Sequence, residues 1–223
     1  MTVIVQPTAE DYIQRMEERI QPKAIELMAA DPKLPFISAY IMAQDITRME
    51  DNLVALTNGE YDWAHAEAMT GSYGRMELRV QALELGLITI KQAVHELPHH
   101  WSAADPDDTD PRFLALWTKA FRLNEFRTLR DRKDTRIPKV KGTSLVRVFR
   151  GQDRGAKFGI AWSLSKLTAQ KFANGAATRE SNRGGVVYEG LIDRAHIMGY
   201  ITGRGEHEIV FDPKHLSSSV IVV

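Results

Sequence analysis

The stretch Leu145-Val146-Arg147-Val148-Phe149-Arg150-Gly151 marks the point at which the character of the chain changes. It is an apolar, largely β-branched run that ends in an arginine followed by a glycine, and such a run is typical of a β-strand. Further runs of this kind, separated by glycine and asparagine clusters, occupy residues 185–192, 207–211 and 220–223. One helix is predicted within this part, at residues 166–173. The last third of the chain is therefore predicted to be mostly β.

Upstream of this stretch, from Thr8 to about Leu129, the signals are helical. Pro22 and Pro35 are expected to cut the first run into separate helices, because proline lacks the backbone donor that a helix interior requires. Later stops are expected at Asn58-Gly59, Gly86 and Pro98, and a helix is expected after the loop 105–111. The prediction is an α+β chain, with a helical N-terminal region at 1–135 and a second region at 136–223.

The composition is that of an ordinary globular protein, with 223 residues, 43% of them hydrophobic and 26% charged. The absence of cysteine excludes a disulfide framework, a thiolate metal site and a catalytic thiol. The sequence begins without the pattern of an export signal, and no run of about 18 apolar residues occurs. We therefore expect a soluble, cytoplasmic protein without a membrane partner.

The zero net charge conceals an asymmetry along the sequence. Residues 1–111 hold 8 basic and 19 acidic residues, hence −11, residues 112–157 hold 14 and 4, hence +10, and residues 158–223 hold 7 and 6, hence +1. One interpretation is that the acidic N-terminal part docks against the basic block and neutralises it. The other is that the basic block binds phosphate, from a dinucleotide or from a nucleic acid.

The segment His95-Glu96-Leu97-Pro98-His99 has the H-E-x-x-H spelling of zinc metallohydrolases. That motif requires both histidines on one face of a continuous helix. Pro98 removes a backbone donor and clashes with the preceding turn, at a cost of about 3 kcal/mol or more, and it also disfavours helical geometry at Leu97. We therefore expect a helix end with surface histidines and no metal site.

Three patterns in the C-terminal part place reactive side chains near strand ends. Arg150 ends the first β-run, where its guanidinium could hold a phosphate bidentately; the sequence has none of the usual glycine-rich phosphate loops. In the segment from Gly159 to Ser165, alternation turns Ser163 and Ser165 to one face. Glu206 and Glu208 stand at i and i+2 where a strand begins, and extended backbone would put both carboxylates on the same side.

Taken in order, the arginine, the serine motif, a helix and Glu-x-Glu resemble the R-S-E pattern of ADP-ribosyltransferases related to clostridial binary toxins and arginine-modifying transferases. Residues 167–173 resemble the family's helix after the serine motif, and residues 186–200 resemble the strands before its catalytic turn. Two positions depart from the pattern, since the family often has tyrosine where Phe149 stands and threonine where Leu164 stands. The resemblance covers residues 144–223 and implies a mixed β-sandwich with short helices behind the helical N-terminal part.

The resemblance also implies an NAD-consuming mono-ADP-ribosyltransferase and a role for each site residue. Glu208 would bond the ribose hydroxyl and stabilise the sugar cation, and Ser163 would orient Glu208. Arg150 would hold a phosphate of NAD, and Glu206 would orient or deprotonate the acceptor. The residues expected to bind NAD are Arg150, Gly151, Ser163, Ser165, Phe172, Arg179 and Arg183. The last two lie in the segment 174–185, which resembles the family's loop over the phosphate and the nicotinamide and which equally fits a plain surface loop.

In the family, members with Glu-x-Glu modify an arginine, so the expected target is a protein. The turn from Thr202 to Gly205 is expected to meet that target. The usual setting of such an enzyme is a toxin, an effector or a phage-encoded modifier, with a neutralising antitoxin as one option for a partner. Transfer to a nucleic acid base, NAD hydrolysis, and a zinc-dependent or non-catalytic protein are the alternatives. The role of the helical region stays open at this point.

Overall fold

The computed structural model describes residues 9–104, 106–123, 137, 140–175, 185–202, 205–217 and 221–222. Within them the chain is α+β, as predicted. The helices are α1 (Ala9–Ala30), α2 (Phe36–Thr57), α3 (Trp63–Met69), α4 (Arg75–Glu84), α5 (Ile90–Val94), α6 (Leu97–Ser102), α7 (Pro111–Leu123) and α8 (Lys166–Ala173). The strands are β1 (Leu145–Gln152), β2 (Ala161–Ser163), β3 (Val186–Asp193), β4 (Gly199–Ile201), β5 (Glu208–Val210) and β6 (Ile221–Val222). None of the helices in these ranges reaches the length and apolarity of a transmembrane segment.

The prediction that Pro22 ends a helix is wrong, because α1 continues through it. Pro22 lies on the exposed side of α1, so the carbonyl that loses its helical donor can bond to water. On the opposite side, Ile20 and Ala24 are buried in a cluster with residues of α2. Arg19 of α1 also pairs with Asp51 of α2 at 2.6 Å. Packing against α2 therefore outweighs the local cost of the proline.

The helix boundaries predicted at Pro35, Asn58 and Pro111 are confirmed. Pro35 is the N-cap of α2 and Asn58 is its C-cap. Pro111 is the first residue of α7, where a missing backbone donor costs nothing. The carboxylate of Asp110 accepts from the N–H of Arg112 at 2.8 Å, as expected for a loop whose last residues cap a helix.

All strand pairs are antiparallel, and the strand order is β4-β5-β2-β1-β3-β6. β1 and β3 pair along their whole length, whereas β1 and β2 pair only at Phe149 and Ser163. The described strands thus form two three-stranded halves, β4-β5-β2 and β1-β3-β6, joined at this one residue pair, which we call the seam. They lie in one hydrogen-bonded sheet, unlike the two packed sheets of the expected sandwich.

Different parts of the chain cover the two faces of the sheet. On one face the largest hydrophobic cluster joins the helical region to the β4-β5-β2 half, and its members include Trp101, Trp117, Met198, Ile201 and Val210. On the same face α8 packs on β1 and β3 through Phe149, Ala169, Ala173 and Val187. The opposite face carries a second cluster that includes Val146, Val148, Trp162, Ile209 and Phe211. The helical region therefore shares a core with the sheet, while the predicted boundary at residue 135 lies outside the described residues.

Candidate active site

Glu208, Ser163 and Phe149 stand side by side on three neighbouring strands. Ser163 in β2 pairs in register with Glu208 in β5 and with Phe149 in β1. Directly paired residues of antiparallel strands point to the same face, with Cβ atoms about 4.5–5.5 Å apart. Ser163 is buried and Glu208 is half-buried. The structure therefore brings together the predicted serine and the second glutamate of Glu-x-Glu.

The hydroxyl of Ser163 bonds to backbone groups. Its Oγ donates to the carbonyl of Glu206 at 2.7 Å and accepts from the N–H of Ser165 at 3.0 Å. These two bonds hold the segment before β5 against the end of β2. Ser163 thus fixes the backbone that leads into Glu208, whereas the resemblance implied that it would orient the carboxylate of Glu208 itself.

Glu206 lies before β5 and not on it. The strand begins at Glu208, and the residue between the two glutamates, His207, has a φ of 47°, in the left-handed region. The expectation that both carboxylates share one side assumed extended backbone at this residue, so it does not hold. The carbonyl of His207 instead accepts from the N–H of Leu164 at 3.0 Å, which keeps the turn beside the serine motif. Glu206 therefore belongs to the turn that precedes β5.

The guanidinium of Arg150 is paired with a carboxylate from the helical region. Its Nη1 and Nη2 donate to Asp108 at 2.6 and 2.9 Å, and Nη1 also donates to the carbonyl of Ala161. The two side chains of the ion pair are each 15% exposed. Ala161 and Ser163 are the first and last residues of β2. The guanidinium is thus anchored at the start of the strand that carries the serine at its end.

Gly151 and Ser165, which the sequence assigned to NAD binding, have structural roles in this fold. A Cβ at Gly151 would lie 1.8 Å from the carbonyl oxygen of Ala169, so glycine is what allows α8 to pack on β1. Ser165 is the N-cap of α8, and its Oγ accepts from the N–H of Thr168 at 3.2 Å. Both residues therefore fix α8 relative to the serine motif.

The remaining residues assigned to NAD binding are Phe172, Arg179 and Arg183. Phe172 is half-buried on α8, and the bounds of this helix agree with the predicted ones. Arg179 and Arg183 lie outside the described residues. The same holds for residues 203–204 of the turn that is expected to meet the target.

Trp101 and Asp108 reach the candidate site from the helical region, and the sequence did not predict either contact. The indole N–H of Trp101, in α6, donates to Oε1 of Glu208 at 2.6 Å. Asp108 pairs with Arg150, and its Oδ2 also accepts from the N–H of Ala161 at 3.0 Å. The acidic loop that contains Asp108 is evident in the sequence as a charge signal, whereas no local pattern marks Trp101.

The first interpretation of the charge asymmetry holds for Arg112 and Arg150, whereas Arg147 of the same basic block pairs with Glu189 of the sheet. Arg112 donates to both oxygens of Glu77 at 2.8 and 2.7 Å, and Arg150 pairs with Asp108. Hydrogen bonds to Asp110 and Glu77 raise the pKa of Arg112. The acidic partners of Arg112 and Arg150 all come from the N-terminal block. Six of the 14 basic residues of the basic block lie outside the described residues, at 127, 130, 132, 133, 136 and 139.

The H-E-x-x-H sequence begins in the break between α5 and α6 and ends in α6. α5 ends before His95, Glu96 has a φ of 48°, and α6 has Pro98 in its first turn. The motif is interrupted as expected, but at His95 and Glu96. The expected helix stop at Pro98 and non-helical backbone at Leu97 are wrong, because both residues lie in the first turn of α6, where proline needs no backbone donor. His95 and His99 are exposed, as expected. Among the residues that the structure describes, no three His, Cys, Asp or Glu side chains are grouped so that they could hold a metal ion.

Comparison of the chain with protein-family models, with curated proteins and with solved structures gives no match in any of the three.

Proposed function

We propose that the protein is a mono-ADP-ribosyltransferase that moves ADP-ribose from NAD to a macromolecular target, with a protein arginine as the acceptor. The observation that carries this proposal is the pairing of Ser163 with Glu208 on adjacent strands, with the carbonyl of Glu206 bonded to the same serine. These are the serine and the Glu-x-Glu of the R-S-E pattern. Ser163 and Glu206 are 43 positions apart, so no local rule requires them to meet. Their contact supports a shared site.

The reaction needs a fixed negative charge beside the sugar. The bond between the nicotinamide nitrogen and C1 of the ribose breaks, and its electron pair leaves with the nicotinamide. Positive charge then grows on the sugar, as in glycoside transfer. A carboxylate that is already in place stabilises this charge, and preorganised charge is usually the largest catalytic contribution. Glu208 takes this role, because it is half-buried and its Oε1 is held by a hydrogen bond.

Glu206 serves the acceptor. An arginine side chain is protonated in water, so it gives up a proton as its nitrogen bonds to C1 of the ribose. The carboxylate of Glu206 accepts that proton. Its neighbours Gly205 and His207 are exposed, so a large target can approach this turn.

Arg150 holds a phosphate of NAD. In the structure its guanidinium meets both oxygens of the Asp108 carboxylate, and two phosphate oxygens suit the same bidentate geometry. For a phosphate to bind there, Asp108 has to release the guanidinium. Arg150, Ser163 and Glu208 lie on the neighbouring strands β1, β2 and β5. Arg150 follows Phe149 and so leaves β1 on the opposite face, but its guanidinium reaches Ala161 at the start of β2, where the phosphate would bind.

The finer fold and the cellular setting belong to the same proposal. A helix after the serine motif and strands before the Glu-x-Glu turn are consistent with an ADP-ribosyltransferase-like core behind a helical region. We assign the activity to the cytoplasm and to a toxin, an effector or a phage-type modifier. A neutralising antitoxin is then a partner to look for.

The test is to incubate the full chain with cell lysate and NAD labelled in its adenylate part, and to measure free nicotinamide and labelled macromolecules. We expect both products, and we expect protease but not nuclease to destroy the labelled one. Label that only nuclease removes would make the acceptor a nucleic acid. Nicotinamide without any labelled macromolecule would make the protein an NAD glycohydrolase. If neither product forms, the proposed chemistry is refuted.

A further inference from the structure

Trp101 is held rigidly in the interior of the protein. Its side chain is 3% exposed and packs edge-on against the rings of Phe113 and Trp117, with centroids 6.0 and 5.5 Å away. Edge-to-face aromatic contacts of this kind restrict the orientation of a ring. The indole N–H therefore has one fixed direction, and that direction leads to Glu208.

The helix that carries Trp101 is itself anchored at both ends. In its first turn the side chains of Leu97 and Pro98 are buried. Just after its last turn the carbonyl of Ala103 accepts a hydrogen bond from the guanidinium of Arg75 at 3.0 Å. Together with the hydrophobic cluster that Trp101 shares with the β4-β5-β2 half, these contacts set the position of the indole.

The neighbouring residue His100 adds a contact to α3. Burial, followed by the charge of Arg79, lowers the pKa of His100 to about 3. The imidazole is therefore neutral near neutral pH, and its Nδ1 meets Glu67 at 3.3 Å as a polar contact and not as an ion pair. The same carboxylate pairs with the fully buried Arg79, which also donates to the carbonyl of Ala93 at 2.8 Å. This network ties α6, the helix that carries Trp101, to α3, α4 and α5.

We infer that Trp101 is a positioning residue for the proposed reaction: it fixes the carboxylate of Glu208, 107 positions away, without neutralising its charge. This inference rests on the proposed function. A carboxylate that stabilises a sugar cation has to keep its full negative charge. A lysine or arginine at this position would fix Glu208 but offset that charge, whereas the indole N–H is a neutral donor. The helical region therefore contributes a part of the catalytic site.

The first experiment compares Trp101→Phe with Ile88→Val, a control in the same hydrophobic cluster that is not one of the rings packed against Trp101 and has no bond to Glu208. In Trp101→Phe we expect kcat for nicotinamide release to fall about tenfold or more, as for a lost hydrogen bond to a charged group, with KM for NAD nearly unchanged. The control should change the melting temperature but leave kcat within about twofold. Equal losses of kcat in both variants, or no loss in Trp101→Phe, would overturn the inference.

A second measurement does not depend on catalysis. The chain has four tryptophans, so its ¹H–¹⁵N spectrum should contain four indole N–H signals. The Trp101 signal is identified by its contact with the Phe113 ring. In Glu208→Gln we expect it to move upfield by more than the other three, because the acceptor loses its charge. If the signal moves in Glu208→Gln but the wild-type protein has no activity on NAD, the hydrogen bond between Trp101 and Glu208 is established and the proposed function fails. If it stays in place, the inference about Trp101 is refuted.

Discussion

Asp108 and Arg150 form a bidentate ion pair that joins the helical region to the strand next to the serine motif. The distances are 2.6 Å from Nη1 to Oδ2 and 2.9 Å from Nη2 to Oδ1. The carboxylate also lies close to Gly159, where a Cβ would come within 2.1 Å of Oδ1. Asp108 thus occupies the position at which the proposed function needs a phosphate of NAD.

Replacing Asp108 with Asn should have opposite effects on stability and on NAD binding. Asn keeps the shape and an acceptor for the N–H of Ala161, but removes the charge that holds Arg150. We expect the free energy of unfolding to fall by about 1–3 kcal/mol. We also expect the Kd for NAD to decrease, because the phosphate no longer competes with a carboxylate. Thermal unfolding and titration calorimetry measure the two effects.

Asp107→Asn is the matched control for this prediction, because Asp107 is exposed and its carboxylate bonds to Thr109 of the same loop. It should leave both quantities nearly unchanged. A weaker or unchanged affinity for NAD in Asp108→Asn would mean that Arg150 is a structural arginine and that another group holds the phosphate.

Glu208→Gln should lower nicotinamide release by about a hundredfold or more, because it removes the charge that stabilises the sugar cation and keeps the shape of the side chain. The melting temperature should change little. Glu189→Gln is the control, since Glu189 pairs with Phe149 in register and so lies in line with Ser163 and Glu208 across the sheet. Comparable rates in the two variants would disprove the role given to Glu208.

Glu206→Ala should separate transfer from bond cleavage. The backbone carbonyl that Ser163 binds is retained in this variant, so the turn before β5 should keep its position. The sugar cation still forms, but the protonated acceptor loses its base, and water captures the sugar instead. We expect the labelling of the target to be lost while some NAD hydrolysis persists. Labelling at the wild-type rate would show that the acceptor needs no base from this position.

Gly151→Ala should destabilise the protein by about 2 kcal/mol or more, because the added methyl group meets the backbone of α8 and backbone cannot move aside cheaply. Gly155→Ala is the comparison. Gly155 has a φ of +81° and no atom within 4 Å of the added Cβ, so only the conformational cost of about 1 kcal/mol applies. Denaturant unfolding measures the free energy of unfolding of both variants, which should fall more in Gly151→Ala. A larger fall in Gly155→Ala would contradict the packing that we describe between α8 and β1.

Much of the fold could be predicted because its signals are local. The bounds of α8 and the start of α7 at Pro111 follow from capping residues and from apolar spacing within one or two turns. Pro22 misled the prediction, because the packing of α1 on α2 is a long-range contribution that no local pattern contains.

The sequence named two residues that the structure places side by side, but it did not predict the contacts around them. Ser163 and Glu208 are adjacent as the R-S-E order implied, whereas the left-handed backbone at His207 removes Glu206 from the strand. Trp101 could not be found, since its partner is 107 positions away and an apolar residue in a helix predicts only burial.

The seam between Phe149 and Ser163 has a mechanical consequence. Two plates that share one hinge point offer little resistance to a change in the angle between them. Here the plates are the two halves of the sheet, and each half has helices packed on it that act as its brace. α8 supports the plate that carries Arg150, and the helical region supports the plate that carries Glu208. The distance between the α-carbons of Arg150 and Glu208 therefore depends on the two helical braces as well as on the sheet, and the bond from Arg150 to Ala161 is a further link across the seam. A substitution in either brace can change this distance while every strand keeps its shape.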